Sequence, residues 1–109
     1  DDRSDRRALE LDVRGELELG GAGLRLRSDS AAIVADAALQ LAAIHATDAS
    51  QDRRVELLPC GARLWCTDAV LPEARFRFEV SPADAAWRIV GARELGQDRV
   101  VLASVWSTR

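Results

Sequence analysis

Lysine, tyrosine, asparagine and methionine are absent from this chain of 109 residues, and histidine occurs once. Each absence excludes a chemistry. Without lysine there is neither a Schiff-base nucleophile nor a P-loop phosphate ligand; without tyrosine there is no phenolic acid, and without asparagine no N-glycosylation acceptor. All 15 basic residues are arginines, interspersed with 18 acids to a net charge of −3, so no block of one sign offers a footprint for nucleic acid. No apolar run approaches the ~20 residues that span a bilayer, and the opening stretch Asp1, Asp2, Arg3, Ser4, Asp5, Arg6, Arg7 is charged where a signal peptide would be apolar. These absences predict no nucleic-acid partner and no membrane partner. The arginine-only, alanine-rich usage is the composition expected of a GC-rich bacterial genome, an association of composition alone.

The length suits one core, and the expected organisation is a mobile charged lead-in over residues 1–7 followed by a single domain over 8–109. Leu9, Leu11, Val13, Leu17 and Leu19 alternate with charged residues, the period-two signature of a strand with one buried face. The glycine-rich run from Gly20 to Gly23 lacks the Lys-Ser/Thr of a phosphate loop and reads as a hairpin turn. With Gly21 and Ala22 at the turn, Leu19 faces Leu24 and Leu17 faces Leu26. On the other side Glu18 faces Arg25 and Glu16 faces Arg27, so both faces agree on one register.

The stretch from Asp29 to Thr47 predicts a long helix. At about 100° per residue, Ile33, Val34, Ala37, Leu41 and Ile44 fall within one arc, Ser28, Asp29 and Ser30 offer N-caps, and alanine fills much of the remainder. Beyond it, Arg53–Leu58 begins a second hairpin with its turn at Cys60 and Gly61, pairing Leu57 with Leu64 and Val55 with Cys66 and leaving Trp65 on the outer face. Ala74–Val80 alternates with Phe76, Phe78 and Val80 inward, and Ser81, Pro82 and Asp84 resemble the start of a helical turn. A last hairpin around Leu95 and Gly96 pairs Val90 with Leu102 and Ala92 with Val100, and both of its faces are apolar. The fold class expected is α+β: one long helix packed on a curved antiparallel sheet of about seven strands, in the order β-β-α-β-β-β-β-β.

Few residues suggest chemistry. His45 falls near the predicted helix C-terminus, where an imidazolium is favoured by the macrodipole, and no neighbouring residues complete a ligand set or a triad. Cys60 and Cys66, one in the turn and one on the order of 15 Å along the strand, are expected as two free thiols, which matches a cytoplasmic, reducing setting. Arg75-Phe76-Arg77-Phe78 lacks the surrounding pattern of an RNA-binding strand, and Asp68, Glu73, Asp84, Glu94 and Asp98 show no pairing that spacing can establish. No catalytic residue, metal ligand or cofactor is assigned. The functional expectation is a non-catalytic interaction domain, such as an inhibitor, adaptor or assembly subunit, that binds a protein partner or itself. Its surface would be the surplus apolar face formed by Val90, Val100, Leu102 and Trp106, with Trp65 nearby. The alternative is a small-ligand or acyl-group pocket between helix and sheet, against Leu41 and Ile44.

Overall fold

Leucine at every second position and charge between them produce the first hairpin, and its register is the one the sequence implies. A computed structural model of the chain describes residues 2–107. In it β1 (Arg14–Gly20) and β2 (Gly23–Arg27) pair Leu19 with Leu24, Leu17 with Leu26, Glu18 with Arg25 and Glu16 with Arg27. Gly23 is required at the turn: its φ is +136°, and a Cβ there would lie 2.1 Å from the Thr67 carbonyl oxygen.

The remaining strands are β3 (Leu39–His45), β4 (Arg53–Gly61), β5 (Leu64–Thr67), β6 (Phe76–Pro82), β7 (Ile89–Arg93) and β8 (Arg99–Ala103). They close into an antiparallel barrel in the order β1-β2-β5-β4-β3-β6-β7-β8, with β8 returning to β1. This corrects the α+β expectation, because the sheet covers its apolar face by curling onto itself and needs no long helix. Leu17, Leu26, Leu57, Trp65, Phe78, Ile89 and Leu102 are among the side chains that fill the interior. Phe76, Phe78 and Val80 point inward along β6, as their alternation implies, but β6 runs on through Pro82 where a helical turn was expected.

The predicted helix over residues 29–47 does not form. Its second half is β3, in which Leu39, Leu41 and Ala43 are buried at period two and which is paired on both sides, by β4 and by β6. Its first half makes two turns, closed by Ile33 N–H to Ser30 O and Ala37 N–H to Val34 O. The carbonyls that a helix would satisfy internally are taken by side chains from β5 and its turn. Arg63 donates to the carbonyls of Ser28 (2.9 Å), Ile33 (3.0 Å) and Ser30, and the Trp65 indole N–H donates to Ala37 O at 2.9 Å. The guanidinium of Arg63 also lies over the Trp65 ring, 5.3 Å from its centroid. Helix propensity in an alanine-rich stretch is a few tenths of a kcal/mol per residue, and two ladders plus these bonds outweigh it.

The helix that does form spans residues expected in part as a lead-in, up to Arg7, and in part as the start of a strand, from Ala8. Helix α1 (Asp2–Glu10) docks on the barrel through polar groups, with Ser4, Asp5 and Ala8 buried. Asp5 takes two hydrogen bonds from Arg88, at 2.8 and 2.6 Å; Ser104 Oγ donates to Asp5 O, and the Arg88 backbone N–H to Ser4 O.

Two hairpin registers are corrected. The β4–β5 turn is at Ala62 and Arg63, not at Cys60 and Gly61, with Leu58 opposite Cys66 and a bulge between Pro59 and Gly61. That shift brings Cys60 and Cys66 together with 5.9 Å between Cα atoms, and they form a disulfide, so the expectation of two free thiols fails. In the last hairpin Val90 pairs with Ala103, not Leu102. A one-residue slip exchanges the faces: Val100 and Leu102 point inward with Ile89, while Val101 is exposed and Val90 half-buried. Here β8 crosses β7 so closely that a Cβ on Gly91 would lie 2.4 Å from Val101 O and 2.6 Å from Leu102 Cδ2.

Two predictions follow from this packing. Gly91→Ala must push β8 away from β7 and is expected to lower stability by about 1–3 kcal/mol, read as a reduced denaturant midpoint at unchanged slope. The Arg88 hydrogen bonds hold the Asp5 carboxyl below its ordinary 3.8, against an upward push from burial. A carboxylate with a lowered folded value stabilises fully above 3.8 and loses that contribution as pH falls through the lowered value. Acid titration of Arg88→Ala, which lacks this contribution, is therefore expected to show a shallower loss of stability in that range and a loss of about 2 kcal/mol at neutral pH.

Candidate functional site

The barrel wall has an outer apolar area built by the parity of β7 and β8. Because Ile89, Val100 and Leu102 fill the interior, the alternate positions Val90, Val101 and Ala103 face outward, and the chain continues through Ser104 into a turn carrying Val105 and Trp106. Val101 is 67% exposed, Val105 52% and Trp106 48%. A shallow groove of about 360 Å³ runs over Arg14, Val90, Val101, Ala103 and Val105. The turn is held by Ser104: its Oγ accepts from Trp106 N at 3.1 Å while donating to α1, and its carbonyl accepts from Ser107 N at 2.9 Å. Trp106 is thus presented from a fixed backbone.

The residues expected to share one interaction face are separated. Trp65 and Leu102 have no exposed surface and Val100 almost none, all three lying inside the barrel, whereas Val90 and Trp106 are on its outside. Val101 and Val105, on the outer wall, are the contributors that the slipped register hid; their signal in the sequence was a valine-rich strand with both faces apolar. The pocket expected between helix and sheet has no helix to form it, and Leu41 is buried in the core.

A second surface feature is a groove of about 620 Å³ around the β1–β2 turn, lined by Gly21, Leu24, Arg25, Thr67, Asp98 and Arg99 together with both cysteines. Next to it, Arg93 ties the segment before β6 to the β7–β8 turn, donating to Ala74 O (3.1 Å), Gln97 O (2.7 Å) and Glu73 Oε1 (2.9 Å), while Glu73 Oε2 accepts from Gly96 N. The Gly96 amide, then Arg93, hold the Glu73 carboxyl below its usual range. Arg75 pairs with Glu94 at 3.1 Å, and Asp84 accepts from Ala86 N, so these acids serve loop structure.

His45 ends β3, not a helix. Its Nδ1 accepts the backbone N–H groups of Thr47 (3.1 Å) and Asp48 (2.9 Å), which leaves the ring proton on Nε2, and its ring meets Phe76 edge to face at 5.4 Å. Asp48 in turn caps the 3₁₀ turn Ala49–Gln51, its carboxyl held low first by the Ser50 hydroxyl and then by Gln51. Among the described residues no group of three or more His, Cys, Asp and Glu side chains converges as a metal site would require.

Comparison with known proteins is informative at one point. The FixH family model matches residues 1–93. The chain belongs to the FixH family. The matched region takes in α1 and β1 to β7, ending at the last residue of β7; β8, which completes this FixH barrel against β1, lies beyond it. No curated protein and no solved structure matches the chain. No helix among the described residues is long and apolar enough to cross a membrane.

Two of the three tryptophans, Trp65 and Trp106, separate core from surface. Trp65→Ala should cost about 3–5 kcal/mol of folding stability, and more if Ala37 O is left unsatisfied, whereas Trp106→Ala should cost less than about 1 kcal/mol. Chemical denaturation of both variants checks the contrast.

Proposed function

We propose that this FixH-family barrel is a non-catalytic protein-interaction domain whose binding surface is the outer wall of β7 and β8. The observation that carries the reading is a groove lined by half-buried Val90 and exposed Val101 and Val105, with Trp106 exposed on the turn that follows, in a molecule whose interior is already filled. Apolar side chains left outside a satisfied core gain from burial only against something else, at about 25 cal/mol per Å². Tryptophan is the residue type most enriched among the anchors of such interfaces. Arg63, Arg88, Arg93, Asp5, Asp48 and Glu73 are engaged in holding loops and α1, which favours binding over catalysis. The disulfide removes the support that free thiols lent to a cytoplasmic setting and favours an oxidising compartment.

The occupant we infer is a protein partner, with a second copy of the chain as the competing outcome. Solution mass measured over a concentration series distinguishes the two. Val101→Asp and Trp106→Ala are each expected to keep the melting temperature of the parent within a few degrees. Each should weaken association about 30-fold, the equivalent of roughly 2 kcal/mol at a central anchor. If both variants associate as the parent does, the β7–β8 wall is not the binding surface.

A further inference from the structure

The Cys60–Cys66 disulfide lies on the outer wall of the barrel on β4 and β5, with β2 and β1 between β5 and β8 in the sheet; Cys60 is exposed and Cys66 half-buried, and both open into the groove of about 620 Å³. The β4–β5 hairpin is held without it. Leu57 and Trp65 are fully buried, Trp65 is bonded to Ala37 O, and Arg63 binds three carbonyls of the 28–33 segment. Cys60 itself falls in the bulge between Pro59 and Gly61, outside the ladder, so its sulfur can part from Cys66 through a local movement.

Cys66 has a cation beside it. It is the cross-strand partner of Arg25 in the β2–β5 ladder, on the outward face, where directly opposed residues bring their Cβ atoms to about 5 Å. No ion pair among the described residues engages Arg25, since Glu18, its neighbour on the other side, pairs with Arg99 at 3.5 Å. A thiolate departing on Cys66 would meet a positive charge, which lowers the basicity of the leaving sulfur and speeds exchange.

We propose that Cys60–Cys66 is a redox-active disulfide that accepts two electrons from a dithiol on a partner protein. A thiolate of the partner attacks the exposed Cys60 Sγ. A partner–Cys60 S–S bond forms as the Cys60–Cys66 bond breaks, and the electron pair leaves on Cys66 Sγ beside Arg25. The second partner thiolate then attacks its own sulfur in the mixed disulfide and releases Cys60 as a thiolate. The partner ends oxidised and the barrel reduced, with the two protons of the partner dithiol taken up by Cys60 and Cys66 or by solvent. This activity uses a different wall from the apolar surface and stands or falls independently of it.

The test incubates the full oxidised chain, without denaturant, with a synthetic peptide carrying a reduced Cys-X-X-Cys dithiol. Acid quenching is followed by maleimide labelling under denaturing conditions and mass measurement of both components. The expected result is a barrel that gains two adducts and a peptide that loses two, with the far-ultraviolet circular dichroism of the barrel unchanged. Arg25→Gln, with a melting temperature equal to the parent's, is expected to slow reduction roughly tenfold. A bridge that resists the dithiol until denaturant is added, or whose reduction unfolds the barrel, is a structural staple and overturns the proposal. Reduction of Arg25→Gln at the parent rate overturns the role of the cation.

Discussion

The ladder between β1 and β8 is the contact on which the rest of the molecule depends. An antiparallel sheet with one apolar face must cover that face, and this chain does so by pairing Arg14–Glu18 with Ala103–Arg99 so that the first strand meets the last. Closure commits Leu17, Val100 and Leu102 to the interior together. It also fixes which positions of β8 remain outside, so the exposed Val101 is a direct consequence of the same register. The junction with β7 is the tight point in this closure, where only a glycine leaves room for the crossing backbone.

Closure leaves the ends of the barrel to be covered, and polar side chains do much of that work. Arg63 gathers the 28–33 segment, Arg93 ties the loop before β6 to the β7–β8 turn, and Arg88 fastens α1 through Asp5. Arginine suits this role because its planar fork reaches several carbonyl or carboxylate oxygens at once and keeps its charge. The arginine-only composition thus has a structural use in addition to the functions it excludes.

The legibility of the fold in the sequence follows the strength of local pattern. The β1–β2 register could be read because leucine and charge alternate on both strands and meet at a glycine turn, and β6 because Phe76, Phe78 and Val80 alternate with charges. Pattern failed at β3, where Leu39, Leu41 and Ala43 match a strand while Leu41, Ile33 and Ile44 match a helical face; the bonds from Arg63 and Trp65 that decide between them come from residues about 30 positions away. The β4–β5 turn was misplaced because Arg63 adopts φ +54° without being glycine, and that displacement hid the disulfide. Helix α1 escaped notice because its anchors are a serine, an aspartate and an alanine. Of the residues singled out in the sequence, Val90 and Trp106 lie on the outside of the barrel, while Val101 was passed over, since a strand with two apolar faces does not reveal which one is turned outward.

The central claim is that one closed barrel, completed by β8 on β1, leaves the outer wall of β7 and β8 as surplus apolar surface. Native-state hydrogen exchange tests it most directly. The account predicts that the ladder amides of β8 and of its partner β1 exchange together, with protection approaching the global unfolding free energy. Exchange of β8 at the rate of an unpaired terminal segment, while β1 and β2 stay protected, would contradict it.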